Sequence, residues 1–171
     1  KGGLRMFREL NRVYICTLDA ELPFNLWPQL TGTDALPVSV PGQVALAGGW
    51  KLNCERWRIP ALAREQAERN EDQFQVWLDA ENLPASFELR TRRQGDHFSP
   101  LGLGGHTQKL SDFFVNEKIP QRAREHWPLL CAGNEILWVP GYRSAHPYRL
   151  TAASRNVIYF SVAHPPDKIT E

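Results

Sequence analysis

Long apolar runs, methionine, cysteine and net charge are all scarce in this 171-residue sequence, and each scarcity closes off a class of protein. No stretch approaches the roughly 20 consecutive apolar residues of a membrane-spanning helix. A single Met, set against 13 Pro and 12 Gly, favours many short elements over a bundle of long helices. Three cysteines, Cys16, Cys54 and Cys131, are odd in number and far apart, so no disulfide framework is expected and a reducing, cytoplasmic setting fits. They form no C-x-x-C pair. The histidines (His97, His106, His126, His146 and His164) are scattered and include no H-E-x-x-H, so no metal site is expected. Twenty Lys+Arg against 19 Asp+Glu leave a formal charge of +1, which excludes a polycation that grips nucleic acid through bulk charge.

What is present describes an ordinary globular chain, with 42% hydrophobic and 23% charged residues. It opens on Lys1-Gly2-Gly3-Leu4, with no initiator methionine and no apolar secretory segment, and the expectation is a piece of a longer chain. Charge is divided unevenly. Residues 1–84 hold 9 Lys+Arg and 11 Asp+Glu, net −2, whereas residues 85–171 hold 11 and 8, net +3. The second half is the better candidate for meeting a polyanion.

The first half reads as strands and turns. Residues 4–9 and 13–18 flank Leu10-Asn11-Arg12 and predict a hairpin. Residues 37–40, 44–47 and 50–57, punctuated by Pro41-Gly42 and Gly48-Gly49, predict a meander. Residues 60–72 suit a polar helix or an exposed excursion, and 74–78 return to strand composition. After Asn82-Leu83-Pro84, residues 87–92 alternate with period two, giving one apolar face and one carrying Glu88, Arg90 and Arg92. A long loop over 93–107 precedes a helix over 109–116, in which Leu110, Phe113 and Phe114 form an apolar stripe and Thr107 is the expected N-cap. Pro120 is placed to open a second short helix through 121–127. Strands are expected at 129–132, 135–139 and 156–162.

Catalytic constellations are missing. Gly102-Leu103-Gly104-Gly105 is neither G-x-G-x-x-G nor a Walker A loop, since Thr107 stands where the last glycine would be. No G-x-S-x-G occurs, and no nucleophile–base pair can be argued. The basic residues say more. Arg90, Arg92 and Arg93 border the 93–107 loop, Lys109 closes it, and Lys118, Arg122 and Arg124 flank the second helix start. Taken singly they read as a solvated face, with Arg122 pairing Glu125 and Lys109 pairing Asp112 at i,i+3. Taken together they suit a phosphate, which cations at helix starts would otherwise lack a reason to surround. Asp96, beside Gly95, is expected to cap the loop through backbone N–H groups. Phe113, Phe114, Trp127, Trp138 and Tyr159 read as core by periodicity, while Phe98, Tyr142 and Tyr148 lie in loops where they could stack on bases.

These same residues carry a family resemblance. The run from Leu89 to Gly102, then Lys109-Leu110-Ser111-Asp112-Phe113-Phe114 and Lys118-Ile119-Pro120-x-x-x-Arg124, resembles the C-terminal domain of bacterial tRNA(Ile)-lysidine synthetases. Trp127-Pro128-Leu129-Leu130 and the run from Ile136 to Arg143 extend it, so that it covers roughly residues 77–162. Val40-Pro41-Gly42 and Leu46-Ala47-Gly48-Gly49-Trp50 resemble the segment preceding that domain.

The resemblance implies an α+β, β-rich fold: a β-sandwich-like C-terminal module with two short helices over 84–171, preceded by antiparallel hairpins over 1–83. It also implies a likeness to a domain of the phenylalanyl-tRNA synthetase β subunit. The family's enzymes adenylate the wobble cytidine of an isoleucine tRNA with ATP and join lysine to it, using an N-terminal domain with an S-G-G-x-D-S loop. No such loop occurs here. The expectation is therefore a non-catalytic, tRNA-binding portion with no cofactor of its own, ATP and Mg being implied for the catalytic domain that would be its partner. Arg92, Arg93, His97, Lys109, Lys118, Arg122, Arg124 and Arg143 are the expected RNA-binding residues, positioning a backbone at the acceptor stem rather than reading bases. Two departures stand out. Gly95-Asp96-His97-Phe98 replaces Gly-Asp-Arg-Phe, and Gln108-Lys109-Leu110 replaces Lys-Lys-Leu. Two lost cations would flatten the salt dependence by about two units of log–log slope. The rival reading is a stand-alone β-rich module that binds a protein or small molecule, its basic face merely solvated.

Overall fold

The computed structural model describes residues 3–9, 12–20, 26–58, 65, 67 and 69–164. The expected hairpin is there, as β1 (Leu4–Glu9) and β2 (Arg12–Thr17), antiparallel with Leu4 opposite Thr17. The meander differs from expectation. β3 (Leu36–Val38) and β4 (Gly42–Ala45) do not pair with each other, because the chain changes sheets between them across Ser39-Val40-Pro41. A 3-10 turn, Ala47–Gly49, then leads into β5 (Lys51–Arg58). Gly48 and Gly49 take φ of 65° and 83°, which glycine adopts without steric cost. The expected excursion over 60–72 falls largely outside the described residues.

β6 (Gln75–Asp79) and β7 (Phe87–Arg90) come next. The expected long loop contains a strand, β8 (His97–Phe98), which pairs with β9 (Gln108–Lys109) immediately before α1 (Leu110–Asn116). This pairing moves the N-cap. Lys109, extended at φ −66° and ψ 136°, occupies it without a side-chain bond, and Thr107 does not cap the helix. The second helix shrinks to a 3-10 turn, Gln121–Ala123. β10 (Leu129–Ala132), β11 (Glu135–Val139), β12 (Arg143–Ser144) and β13 (Asn156–Ala163) complete the order.

Beside the two-stranded β1–β2 and β8–β9 pairs, two larger antiparallel sheets result among the described residues. One runs β12-β11-β10-β7-β3 and the other β4-β5-β13-β6. Three strand pairings cross the 83/84 division: β3 extends the sheet of β7 and β10, and β13 pairs with both β5 and β6. The sheets meet through their inner faces, where the rings of Phe87 on β7 and Phe160 on β13 pack edge to face at 5.8 Å. All four residues of β10 and the last four of β11 are buried, so this sheet is covered on both faces, as its unbroken apolar sequence requires. Leu110, Phe113 and Phe114 on α1 are buried as the i, i+3, i+4 stripe predicts. Each such side chain contributes about 2–3 kcal/mol through removal from water.

The aromatic assignments divide. Phe113, Phe114, Trp127 and Trp138 are core. Tyr159 is not fully so: it is half-buried on the outer face of the second sheet, between Trp57 and Trp77. Phe98 and Tyr148 are buried rather than available to bases, and half-buried Tyr142 packs edge-on against Phe113 and Trp127. A buried strap over residues 27–30, unmarked by any periodicity, ties the halves together. Leu30 N–H donates to His126 O, and Gln29 Nε2 donates to Ala123 O.

Candidate nucleic-acid interface

β7 leaves its sheet at Arg90, and that residue organises the turn beyond the strand. Period-two alternation puts Arg90 on the polar face with Glu88, yet it is only 1% exposed. Its guanidinium forms a two-pronged bond to Asp96, Nη1 to Oδ2 at 2.8 Å and Nη2 to Oδ1 at 3.0 Å, and Nη1 also donates to Thr91 O. The burial is tolerable only because the charge is paired. Its Nε makes no hydrogen bond, with Glu88 Oε1 3.9 Å away.

Asp96 has a second task. Its Oδ2 also accepts Arg93 N–H at 2.7 Å, the backbone cap expected from the Asp beside Gly95. Gly95 holds φ at 86°, the left-handed region the turn needs. Burial opposes ionisation of Asp96. The Arg90 bond, the Arg93 N–H and the two positive charges outweigh it and hold the carboxyl below its ordinary pKa.

With Arg90 turned inward, Arg92 and Arg93 project outward. Together with His97, Lys109 and Ser111 they line a cleft of about 480 Å³. His97 and Lys109 face each other across the β8–β9 pair. The cleft also contains carboxylates. Arg92 bonds Glu125, and Arg93 Nη2 lies 3.8 Å from Glu88. These pairs are exposed enough that each contributes at most about 1 kcal/mol, so an incoming anion can displace them.

The other four expected residues lie elsewhere. Arg122 stacks its guanidinium over Trp27 at 4.9 Å and Tyr14 at 5.7 Å. Arg124 Nε donates to Ile119 O and fastens the turn after α1. Exposed Lys118 occupies φ +56°, unusual for a residue other than glycine. Arg143, 3.7 Å from Glu117, borders a separate groove beside Leu101 and Gln108. Sequence reasoning missed Ser111 and Gln94 in the cleft, and polar residues next to cations give no periodic signal. Among the described residues no group of three His, Cys, Asp or Glu side chains is placed to hold a metal ion, and no helix is long and apolar enough to cross a membrane.

A two-sheet α+β fold with a cationic cleft at the end of one central strand defines the class. The fold is that of a crystallised TilS C-terminal domain, which superposes with a TM-score of 0.64 at 25% identity over 77% of this chain and 96% of that one. An N-terminal fragment of the phenylalanyl-tRNA synthetase β-subunit from Pyrococcus horikoshii shares the fold, with a TM-score of 0.52 at 15% identity over 97% of this chain and 60% of that one.

Residues 87–158 match the family model of the TilS substrate C-terminal domain. The tRNA(Ile)-lysidine synthase of Symbiobacterium thermophilum is 37% identical over 82% of this chain and 29% of its own length. That of Geobacter sulfurreducens is 40% identical over 67% of this chain and 23% of its own length. The chain is a homologue of the tRNA(Ile)-lysidine synthases and carries their C-terminal domain. It spans less than a third of the length of these curated relatives.

Proposed function

We propose that this chain is the tRNA-gripping, non-catalytic portion of a tRNA(Ile)-lysidine synthase, an enzyme that uses ATP to join lysine to the wobble cytidine of an isoleucine tRNA. Its partners are that tRNA, held at the acceptor stem, and the catalytic domain of the same enzyme. The observation that carries the reading is the convergence of Arg92, Arg93, His97 and Lys109 on one cleft, with the turn between them fixed by Asp96. Cations whose backbone is held while their side chains stay exposed can meet phosphates at little entropic cost. Arg122 and Arg124, engaged with aromatic rings and a carbonyl, serve the fold, whereas Lys118 and Arg143 are outlying contacts along a longer RNA path.

Binding of the chain to isoleucine tRNA, followed by fluorescence anisotropy across salt concentrations, tests this. Arg92, Arg93 and Lys109 together predict a log–log slope of about −2 to −3. Arg92→Ala with Arg93→Ala should shrink the slope by about two units and leave the folded state intact. Binding no stronger than that of a charge-matched control protein, or a slope unchanged in the double variant, would sink the reading.

A further inference from the structure

The outer face of the four-stranded sheet carries a feature that the RNA reading does not use. Trp57 on β5, Tyr159 on β13 and Trp77 on β6 lie side by side across three strands. The Tyr159 ring centroid is 4.8 Å from each indole, at 22° to Trp57 and 39° to Trp77. Cross-strand aromatic pairs stabilise sheets by themselves, but that role does not require Trp57 to remain 41% exposed. β4 stops opposite Cys54, so residues 55–58 of β5 form a margin with no strand on that side among the described residues. A ligand can reach the Trp57 indole from there.

The charged groups that act on the Tyr159 ring are acidic, while Arg143 and Arg149 share a groove with Trp77. Glu55 Oε2 accepts Trp57 Nε1 at 2.7 Å. Asp72, at the Trp77 side, is held by Phe74 N–H and Gln75 Nε2. Both carboxylates act on the Tyr159 hydroxyl: burial is the main cause of its raised pKa, a bond to Ser161 works the other way, and the charges of Asp72 and Glu55 add to the rise. Arg56 and Arg58 alternate to the opposite face, and Lys51, which shares the outer face, stands at the far end of β5. Rings bordered by carboxylates attract a cation through the π-face and the carboxylate together, and they repel phosphates.

We propose that Trp57, Tyr159 and Trp77, with Glu55 beside them, form a docking site for an arginine-bearing protein segment. Its planar guanidinium stacks on the Trp57 indole while pairing with Glu55. Arginine suits the site better than lysine because one flat group can stack and donate hydrogen bonds at once.

The test is NMR of the 171-residue chain, following the Trp57 indole N–H, identified by its loss in Trp57→Phe, during titration with acetyl-Gly-Arg-Gly-Arg-Gly-amide. The same peptide with citrulline for arginine keeps the shape and removes the charge. Saturable movement of the Trp57 signal is expected, with affinity about three- to five-fold weaker for the citrulline peptide and for Glu55→Gln. Unchanged signals from the buried Trp138 indole verify that Glu55→Gln is folded. Equal response to the citrulline peptide, or no response, overturns the proposal. So does tighter binding of an octauridine RNA at the same indole, which would make the rings a base-stacking platform.

Discussion

Asp96 provides the sharpest test of how the cleft is built. It is the only hydrogen-bonding acid of the buried Arg90 guanidinium among the described residues, through two bonds of 2.8 and 3.0 Å, and it also caps Arg93 N–H. Asp96→Ala leaves a charge that is 1% exposed without its partner, a change that costs about 3–5 kcal/mol. For a chain of this length that corresponds to a Tm lower by about 6–20 °C. Asp96→Asn keeps an acceptor oxygen but loses the charge, and should cost about 1.5–3 kcal/mol. Adding Arg90→Met to Asp96→Ala should recover much of the loss, because no charge then remains buried. Urea denaturation monitored by tryptophan fluorescence measures all three. A loss below about 1 kcal/mol for Asp96→Ala, or no recovery in the double variant, would refute the pairing as the support of this turn.

The acid limb gives an independent check. Since the native pKa of Asp96 lies below its unfolded value, the unfolded chain takes up the proton first. This share of stability is therefore present above about pH 4 and is lost as pH falls through the lowered native value. The stability gap between the wild-type chain and Asp96→Asn should narrow over that acid range and stay constant from about pH 5 to 7.

Glu125→Gln removes the carboxylate that holds Arg92, and should tighten tRNA binding by about two- to five-fold at low salt, read as the anisotropy midpoint. Phe113→Ala opens a cavity where the ring meets Phe98 at 4.9 Å, and should cost about 3–5 kcal/mol in urea denaturation. Gly141 holds φ at +80°, and an added Cβ would lie 2.9 Å from the Phe74 ring. Gly141→Ala should therefore lower stability by about 1–3 kcal/mol, measured the same way. Cys54 and Cys131 are buried, and burial pushes the Cys131 thiol up to about 12, whereas Cys16 is half-exposed. A thiol reagent added to the native chain should titrate Cys16 first and the other two only on unfolding.

The features legible in the sequence are those that depend on local pattern. The hairpin, α1, β10 and β11 arise from periodicity and turn residues, and the family motifs from their order along the chain. What was illegible depends on partners distant in sequence. Alternation assigns Arg90 to solvent because it cannot register that Asp96, six residues on, closes a turn back over the strand. Thr107 looks like a cap until β8 recruits Gln108 and Lys109 into a ladder that delays the helix. The loop aromatics Phe98 and Tyr148 are core because Phe113 of α1 packs edge-on against the first and Glu135 of β11 accepts the hydroxyl of the second, and Tyr159 is half-exposed because its neighbours along β13 face inward. Arg122 is drawn away from the cleft by Trp27 and Tyr14, residues in a half of the chain whose charge gives no sign of this role.

The division of labour among the arginines also explains how a chain with a net charge of +1 can carry a cationic surface. Arg90 is consumed by Asp96, yet that pairing fixes the backbone of residues 90–96 and sends Arg92 and Arg93 outward. Arg122 and Arg124 are consumed in the same sense, by rings and by a carbonyl. Two of the eight expected RNA-binding residues are thus spent on the fold, as Arg90 is on the turn. Lys109 is held by strand pairing: the β8–β9 pair sets it opposite His97, so the missing arginine of the Gly-Asp-His-Phe run is partly offset by position. A cleft assembled this way holds Arg92, Arg93 and Lys109 against Asp96 and Glu125, three cations to two carboxylates, with the buried Arg90 behind it. Such a balance gives weak attraction to polyanions in general. On the proposed tRNA-binding function, selection falls to an RNA whose phosphates displace Glu125 and reach both arginines at once.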